Sequence, residues 1–217
     1  MRKKNKNKYN AVFLVVVSLL AMSSCNVVKH LKPAEQLYTG AEVKVTSAED
    51  LELGQTRKEL EKVLWPEPNQ TLLGMRIKLW FYYQGEGAEK GLKKWMREKL
   101  GERPVLYDPN IPVHVTDILT NRLQNMGYFD AMVKHQVHDN GKKVTITYTA
   151  EVSRPYTIAE LLWPAPGSDL AKAVNSTSKR SLINRGSRYD LNLFKNERAR
   201  IDQELKEQGY YYFLHGI

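Results

Sequence analysis

Apolar and polar positions change period along this chain, and the change is clearest between Leu119 and Val152. Ile118, Leu119, Leu123 and Met126, with Arg122 among them, fall at helical spacing, and Gly127 stands where a helix usually closes in a left-handed conformation. After Tyr128 and Phe129 the period drops to two. The spacing predicts a strand over Ala131 to His138, a tight turn at Asp139-Asn140-Gly141, and a half-buried strand carrying Val144, Ile146, Tyr148, Ala150 and Val152 on one face.

The same wording returns 82 residues later. Leu100, Arg103, Tyr107, Asp108, Asn110, Leu123, Gly127 and Tyr128 recur as Leu182, Arg185, Tyr189, Asp190, Asn192, Leu205, Gly209 and Tyr210. Ordinary composition would give roughly two identities over such a window, so the register reads as an internal repeat.

Other segments supply the remaining elements. Gly40 to Thr46 alternates Ala41, Val43 and Val45 against Glu42, Lys44 and Thr46, a half-exposed strand. Thr56 and Glu59 are spaced as a capping box, ahead of a helix with Leu60, Val63 and Leu64 on its apolar face and Pro66 as its stop. Leu72 to Tyr83 fits either period; the repeat register favours a strand, whereas the strand already present at Ala41 to Val45 favours a helix, the reading adopted. Leu92, Trp95, Met96 and Leu100 form one face of a helix otherwise made of Lys93, Lys94, Arg97 and Lys99. Such a helix suits an anionic membrane surface; the plainer expectation is a solvated basic face over a stripe turned to the core. In the second half, Tyr156 to Trp163 reads as a strand, Leu170 to Val174 as a short helix, and Asp190 or Asn192 as the cap of a longer helix ending at Gly209, after which Tyr210 to Leu214 begins a strand. That last strand lacks the partner its earlier counterpart has, so the chain is expected to be the front end of a longer protein.

The beginning of the chain carries a separate signal. Arg2, Lys3, Lys4, Lys6 and Lys8 precede an apolar run from Ala11 to Met22, and Ser23-Ser24-Cys25 follows. The run is too short to span a bilayer and has the form of a secretory signal. Met22-Ser23-Ser24-Cys25 resembles the bacterial lipobox, and Cys25 is the sole cysteine. A lone thiol in an oxidising compartment has no disulfide partner, and acylation of Cys25, palmitate included, gives it a use. No acidic residue follows directly after the cysteine, unlike the signals of surface-exported lipoproteins, so the expected location is the outer membrane, lipid-anchored and facing the periplasm.

Charge changes little once the signal is set aside. The formal +9 includes the five basic residues before Cys25; without them the net charge is about +4. That mild excess is no argument for nucleic acid, which wants cations clustered on one face.

Candidate chemistry is thin. His135 and His138 are three apart on a strand and point to opposite faces, so they do not share an ion. Gly85, Gly87 and Gly91 fit neither a dinucleotide fingerprint nor a phosphate loop, and no nucleophile elbow occurs. No catalytic residue, metal ligand or cofactor site is assigned, and the expectation is that the chain is not an enzyme. Trp80 to Tyr83 and Tyr210 to Phe213 are aromatic enough to stack on sugars, which makes an outer-membrane lipoprotein binding carbohydrate the alternative from another class.

A lipobox followed by units of strand, two helices and a hairpin, with the second helix ending Leu-x-x-x-Gly-Tyr, resembles the POTRA domains of the BamA and TamA outer-membrane assembly superfamily. Pro68-Asn69, Leu73-Gly74, Gly101-Glu102-Arg103-Pro104 and Glu197-Arg198-Ala199-Arg200-Ile201 are similar to the TamL lipoprotein branch. The resemblance implies an α+β fold of tandem POTRA-like units, each a small mixed sheet covered by helices, the second incomplete. The boundaries expected are a signal at 1–24, a tether at 25–36, a first unit at 37–153 with a helical insertion at about 67–102, and a second at 154–217. It also implies that Gly127, Tyr128, Gly209 and Tyr210 are a structural motif, and that outer-membrane protein clients, and a TamB-like periplasmic partner, are the binding partners. No segment resembles the family's barrel. Ala131, Met132, Val133, Lys134, His135, Gln136 and Val137 would then form the outer strand of the hairpin, an edge on which an extended polypeptide adds by backbone hydrogen bonding.

Overall fold

A computed structural model describes residues 27–211; the signal, Cys25 and, of the strand expected over Tyr210 to Leu214, the part from Tyr212 on lie outside those residues. In chain order the elements are a 3-10 turn Val27–His30, β1 Leu37–Thr46, α1 Gly54–Glu61, α2 Ile77–Gln84, α3 Gly91–Trp95 continued by a π turn Met96–Leu100, α4 Ile111–Asn125, β2 Met132–Asp139, β3 Lys143–Glu151, α5 Asp169–Ser176, a 3-10 turn Ser178–Arg180, and α6 Leu191–Glu207. The class is α+β.

The three strands form one sheet in the order β1-β3-β2. The amide of Leu37 donates to Lys142 at the start of β1, and that of Val152 donates to Thr46 at its end. Residue numbers rise together along the two strands, so β1 runs parallel to β3. β2 and β3 are the antiparallel arms of a hairpin closed by Asn140 donating to Lys143 over 2.9 Å. The sheet is therefore mixed, with β3 central and β2 at an edge. The period-two residues of β3, Val144, Ile146, Tyr148 and Ala150, are all buried, as is Val152 just beyond.

The described chain divides into two compact units, and each strand passes from one to the other. The first comprises residues 27–42, 64–113 and 136–147, the second 43–63, 114–135 and 148–211. In the first, Val27, Leu31, Leu37, Leu79 and Tyr83 make an apolar cluster, with Val28, Trp80, Tyr82 and Leu106 packed against it. Within the stretch expected to act as a tether, Val27 and Leu31 are thus core, packed with Leu79 and Tyr83 of α2, and His30 stacks on Tyr83 with ring centroids 4.9 Å apart. In the second, Leu60, Val115, Leu119, Leu123 and Leu205 are fully buried.

Several expectations are corrected. Thr56 and Glu59 do not cap α1, which starts at Gly54 with Leu53 before it. Thr56 sits inside the helix, 1% exposed, its hydroxyl 2.9 Å from that of Tyr128, and Glu59 takes Lys62 and Arg122 instead. The spacing of a capping box is also that of helix neighbours, so it does not fix the start. The helix ends at Glu61, ahead of Pro66. Leu72 to Tyr83 resolves into a tight Leu72–Met75 bridge followed by α2, so the helix adopted for this stretch is present from Ile77. Tyr156 to Trp163 is not a strand; Thr157 bridges to Arg188, flanked by backbone bonds of Tyr156 to Tyr189 and of Ile158 to Ser187, and beyond Ile158 no such pairing continues and the apolar residues stay half or wholly exposed. The stripe on α3 does not turn to the core: Leu92 is 70%, Trp95 50% and Leu100 39% exposed.

The two ends of the 82-residue repeat share their hydrogen bonding. Tyr128 donates to Leu123, and Gly127 to Gln124; Tyr210 donates to Leu205, and Gly209 to Lys206. Both glycines are left-handed, at φ +88° and +94°. Each set is a six-to-one and a five-to-two bond around a left-handed residue, the Schellman closure of a helix. At the opposite end, Asp108 accepts from the amide of Asn110, and Asp190 from that of Asn192.

Candidate functional site

β2 is short, polar and largely solvent-facing. Met132, Lys134, His135, Gln136 and Val137 are exposed, Val133 is half-buried, and Ala131 precedes the strand with its amide bonded to Tyr128. The hairpin bond between Asn140 and Lys143 fixes which backbone groups point where. Carried back along the alternation of an antiparallel ladder, it turns the amides and carbonyls of Lys134, Gln136 and His138 towards β3, and those of Val133, His135 and Val137 away from it. Three consecutive outward donor and acceptor pairs therefore line the edge.

Side chains on the two faces hold the strand in place. On one face the His135 ring lies 6.4 Å from that of Tyr148, and its Nδ1 is 3.0 Å from the Thr116 hydroxyl of α4. On the other, Lys134 Nζ reaches Glu151 at 3.3 Å, His138 Nε2 meets the Thr147 hydroxyl at 3.0 Å, and that hydroxyl donates to Glu42. The far end is fastened by the Gln36 amide, which donates to Asp139 and to the carbonyl of Gly141. The two histidines thus belong to different faces and different hydroxyls. Among the described residues no group of three or more metal-ligating side chains converges.

Where β2 begins, a groove of about 510 Å³ opens among Thr46, Ala48, Asp130, Met132, Glu151 and Val152. Its walls come from the ends of three strands and the turn after Phe129. Nothing in the sequence announces it, because its residues share no spacing; strand pairing brings them together. It places a half-polar recess, with the 57% exposed Met132 on its rim, at one end of the outward-facing edge.

The glycine and tyrosine motifs lie outside the edge. Gly127 and Tyr128 join α4 to a second ladder, in which Tyr156 donates to Gly127 and Tyr189 donates to Tyr156, each over 2.8 Å. Arg188 completes it, its Nε donating to Met126 and its guanidinium lying 4.5 Å above the Tyr128 ring. Gly209 and Tyr210 close α6. Cys25 and the residues beyond Tyr211 fall outside the described residues.

Comparison with known proteins adds the following. Residues 86–153 match the family model described as POTRA, surface antigen variable number repeat. No curated protein matches. Among solved structures, POTRA1-2 of the periplasmic domain of Omp85 from Anabaena is similar at 12% identity over 86% of this chain and 88% of that one, with a TM-score of 0.38. POTRA3-5 of BamA from Haemophilus influenzae is similar at 13% identity over 86% and 91%, with a TM-score of 0.29. The matched residues take in α3, α4 and the whole β2–β3 hairpin.

Proposed function

We propose that this chain is the periplasmic protein-interaction part of a TamA/TamL-like lipoprotein for outer-membrane protein assembly or translocation, and that it receives extended client or partner polypeptides on β2. POTRA domains are protein-interaction modules of outer-membrane assembly proteins, and the observation that carries the reading here is the open backbone of Val133, His135 and Val137. A polypeptide in strand conformation adds there antiparallel or parallel, drawing affinity from main-chain hydrogen bonds. Recognition of that kind tolerates many sequences, which suits a chain that handles varied clients. Lys134 and the other polar side chains of β2 keep the edge soluble when it is empty. Acylation at Cys25 holds the chain at the outer membrane, facing the periplasm, where outer-membrane protein clients and a TamB-like partner are within reach. The paired closures at Gly127 and Gly209 support two POTRA-like units in tandem.

The test is a proline placed by backbone direction. Val133→Pro removes an outward amide and leaves the β3 ladder whole, whereas Lys134→Pro breaks an inward bond and costs stability. A photo-crosslinker at Gln136 in cells expressing the chain captures outer-membrane protein precursors or a periplasmic partner in the wild type. Val133→Pro abolishes that capture with an unchanged melting temperature. Undiminished capture in Val133→Pro refutes the edge as the binding site.

A further inference from the structure

The exposed apolar face of α3 calls for an occupant, because Leu92, Trp95 and Leu100 project from a helix held rigidly on its other side. Gly85 and Gly101 allow that close docking. A Cβ on Gly85 would stand 2.5 Å from the Arg97 Cβ, and one on Gly101 would stand 3.0 Å from the Tyr82 backbone. Arg97 also donates to the Gly85 carbonyl. The helix is thereby held on its Arg97 side, close to the end of α2, and the side carrying Leu92, Trp95 and Leu100 is left to solvent. Between Lys90 and Leu100, Lys90, Lys93, Lys94, Arg97 and Lys99 stand against Glu98 alone, with Glu86 and Glu89 in the turn before. Glu98 is shared by Lys94 and Arg97, and Lys90, Lys93 and Lys99 are exposed beside the apolar residues.

A second observation brings a membrane surface close to the same unit. Val27 is 6% exposed and packs with Leu79 and Tyr83 of α2, the helix that also carries α3. Cys25 precedes Val27 by two peptide units, a reach of at most about 7 Å. If acyl chains on Cys25 sit in a bilayer, this unit has no slack with which to stand clear of the headgroups. One of its surfaces must face them.

We propose that the Leu92, Trp95 and Leu100 face of α3 and its π turn rests on an anionic phospholipid surface, with Lys90, Lys93 and Lys99 at headgroup level. Leucine and tryptophan enter the interface while lysines meet phosphate, the arrangement of an interfacial helix. A short acyl tether and a basic apolar face are two signals, and together they fix which way the unit is turned as well as where it is held. For its geometry the inference rests on the acylation of Cys25.

In the full chain Cys25 is the sole cysteine, so once it is acylated a Leu92→Cys substitution offers a single thiol for an environment-sensitive nitrobenzoxadiazole dye. The labelled, acylated protein is placed in vesicles of phosphatidylethanolamine with phosphatidylglycerol, and in phosphatidylcholine vesicles. Expected is a blue-shifted, brighter emission in the anionic vesicles, reversed by Lys93→Glu with Lys99→Glu. Acylated, vesicle-bound protein with an aqueous spectrum at position 92 overturns the proposal and leaves the anchor standing. If mass spectrometry finds no acyl group on Cys25, the anchor reading fails, and the Cys25→Ser chain labelled at position 92 decides the surface. Blue-shifted binding to anionic vesicles, weakened about tenfold or more by the two glutamates, retains it, and no shift ends it.

Discussion

The amide of Tyr156 donates to the carbonyl of Gly127 over 2.8 Å, which brings the backbone after the hairpin directly onto the closing turn of α4. Only glycine permits this. A Cβ on Gly127 would lie 2.9 Å from the Tyr189 carbonyl oxygen and 3.4 Å from that of Tyr156, and its φ of +88° disfavours any other residue. Gly209 has the same conformation with nothing within 4 Å of its Cβ position. Gly209→Ala should therefore cost about 1 kcal/mol, from backbone strain, and Gly127→Ala about 3 kcal/mol, from strain and overpacking together. Urea unfolding of the two variants separates the contributions; equal losses would contradict the close approach.

The hydroxyls of Thr56 and Tyr128 make a pair in the interior of the second unit, with their residues 1% and 3% exposed. Deleting one leaves the other without its partner. Thr56→Val and Tyr128→Phe are each expected to destabilise by about 1–1.5 kcal/mol, and the double variant by about 1 kcal/mol less than their sum. A double-mutant cycle by chemical denaturation reads the difference.

The hairpin and the α4 stop were legible in the sequence because each rests on local physics: strict alternation in β3, and a left-handed glycine after an apolar helix. What was not legible depends on which surface meets which. The 92-95-96-100 stripe has the pattern of a core-facing helix, but pattern does not say whether another element arrives to cover it, and here Gly85 and Gly101 dock the helix by its Arg97 side. The Thr56 and Glu59 spacing belongs equally to a cap and to a helix interior, and the buried Tyr128 hydroxyl decides. Tyr156 to Trp163 has strand-forming residues, but a strand needs a neighbour along its length, and the backbone from Gly186 to Tyr189 runs alongside Tyr156 to Ile158 only. Of the candidate edge, the polarity of Lys134 to Gln136 was readable; which amides face outward was not, since that follows from the Asn140 to Lys143 register.

Glu197 makes the second unit sensitive to acid. It is 6% exposed and accepts from Arg200 at 2.6 Å and from the Leu182 amide at 2.9 Å. Burial works to raise its pKa, but the hydrogen bonds from Arg200, Leu182 and Ser181 outweigh it, and the value lies below the ordinary 4.5. A carboxyl whose folded pKa is depressed contributes stability above its unfolded pKa and loses it as pH falls through the folded one. Glu197→Gln should thus lower the melting temperature most at neutral pH, with the gap to wild type closing below about pH 4.5. A gap independent of pH would mean the side chain acts only by shape.

At the alkaline end the first unit answers instead. Burial pushes the phenols of both Tyr38 and Tyr83 up to about 12, with the charges of Glu86 and Glu35 adding to the effect at Tyr83. Their contribution is complete below the ordinary tyrosine value of 10 and is lost as pH rises through the folded one. Absorbance titration at 295 nm should show these two phenols ionising well above pH 10 and together with unfolding, and Tyr38→Phe should remove part of the alkaline loss.

Lys142 holds the segment that follows the first 3-10 turn. Its ammonium donates to the carbonyls of Lys32, Pro33 and Glu35, the last two at 2.8 and 3.3 Å, while its own carbonyl accepts from Leu37. Three carbonyls converging on one point match the three donors of an ammonium and do not match a planar guanidinium. Lys142→Met should cost about 1–2 kcal/mol and release the amides of residues 31–36 to fast hydrogen exchange, with β3 still protected. Lys142→Arg keeps the charge and should restore less than half of that protection, because a flat fork reaches two of the three oxygens at best. Full recovery in the arginine variant would show that charge alone, with no particular geometry, keeps this stretch against the body of the unit.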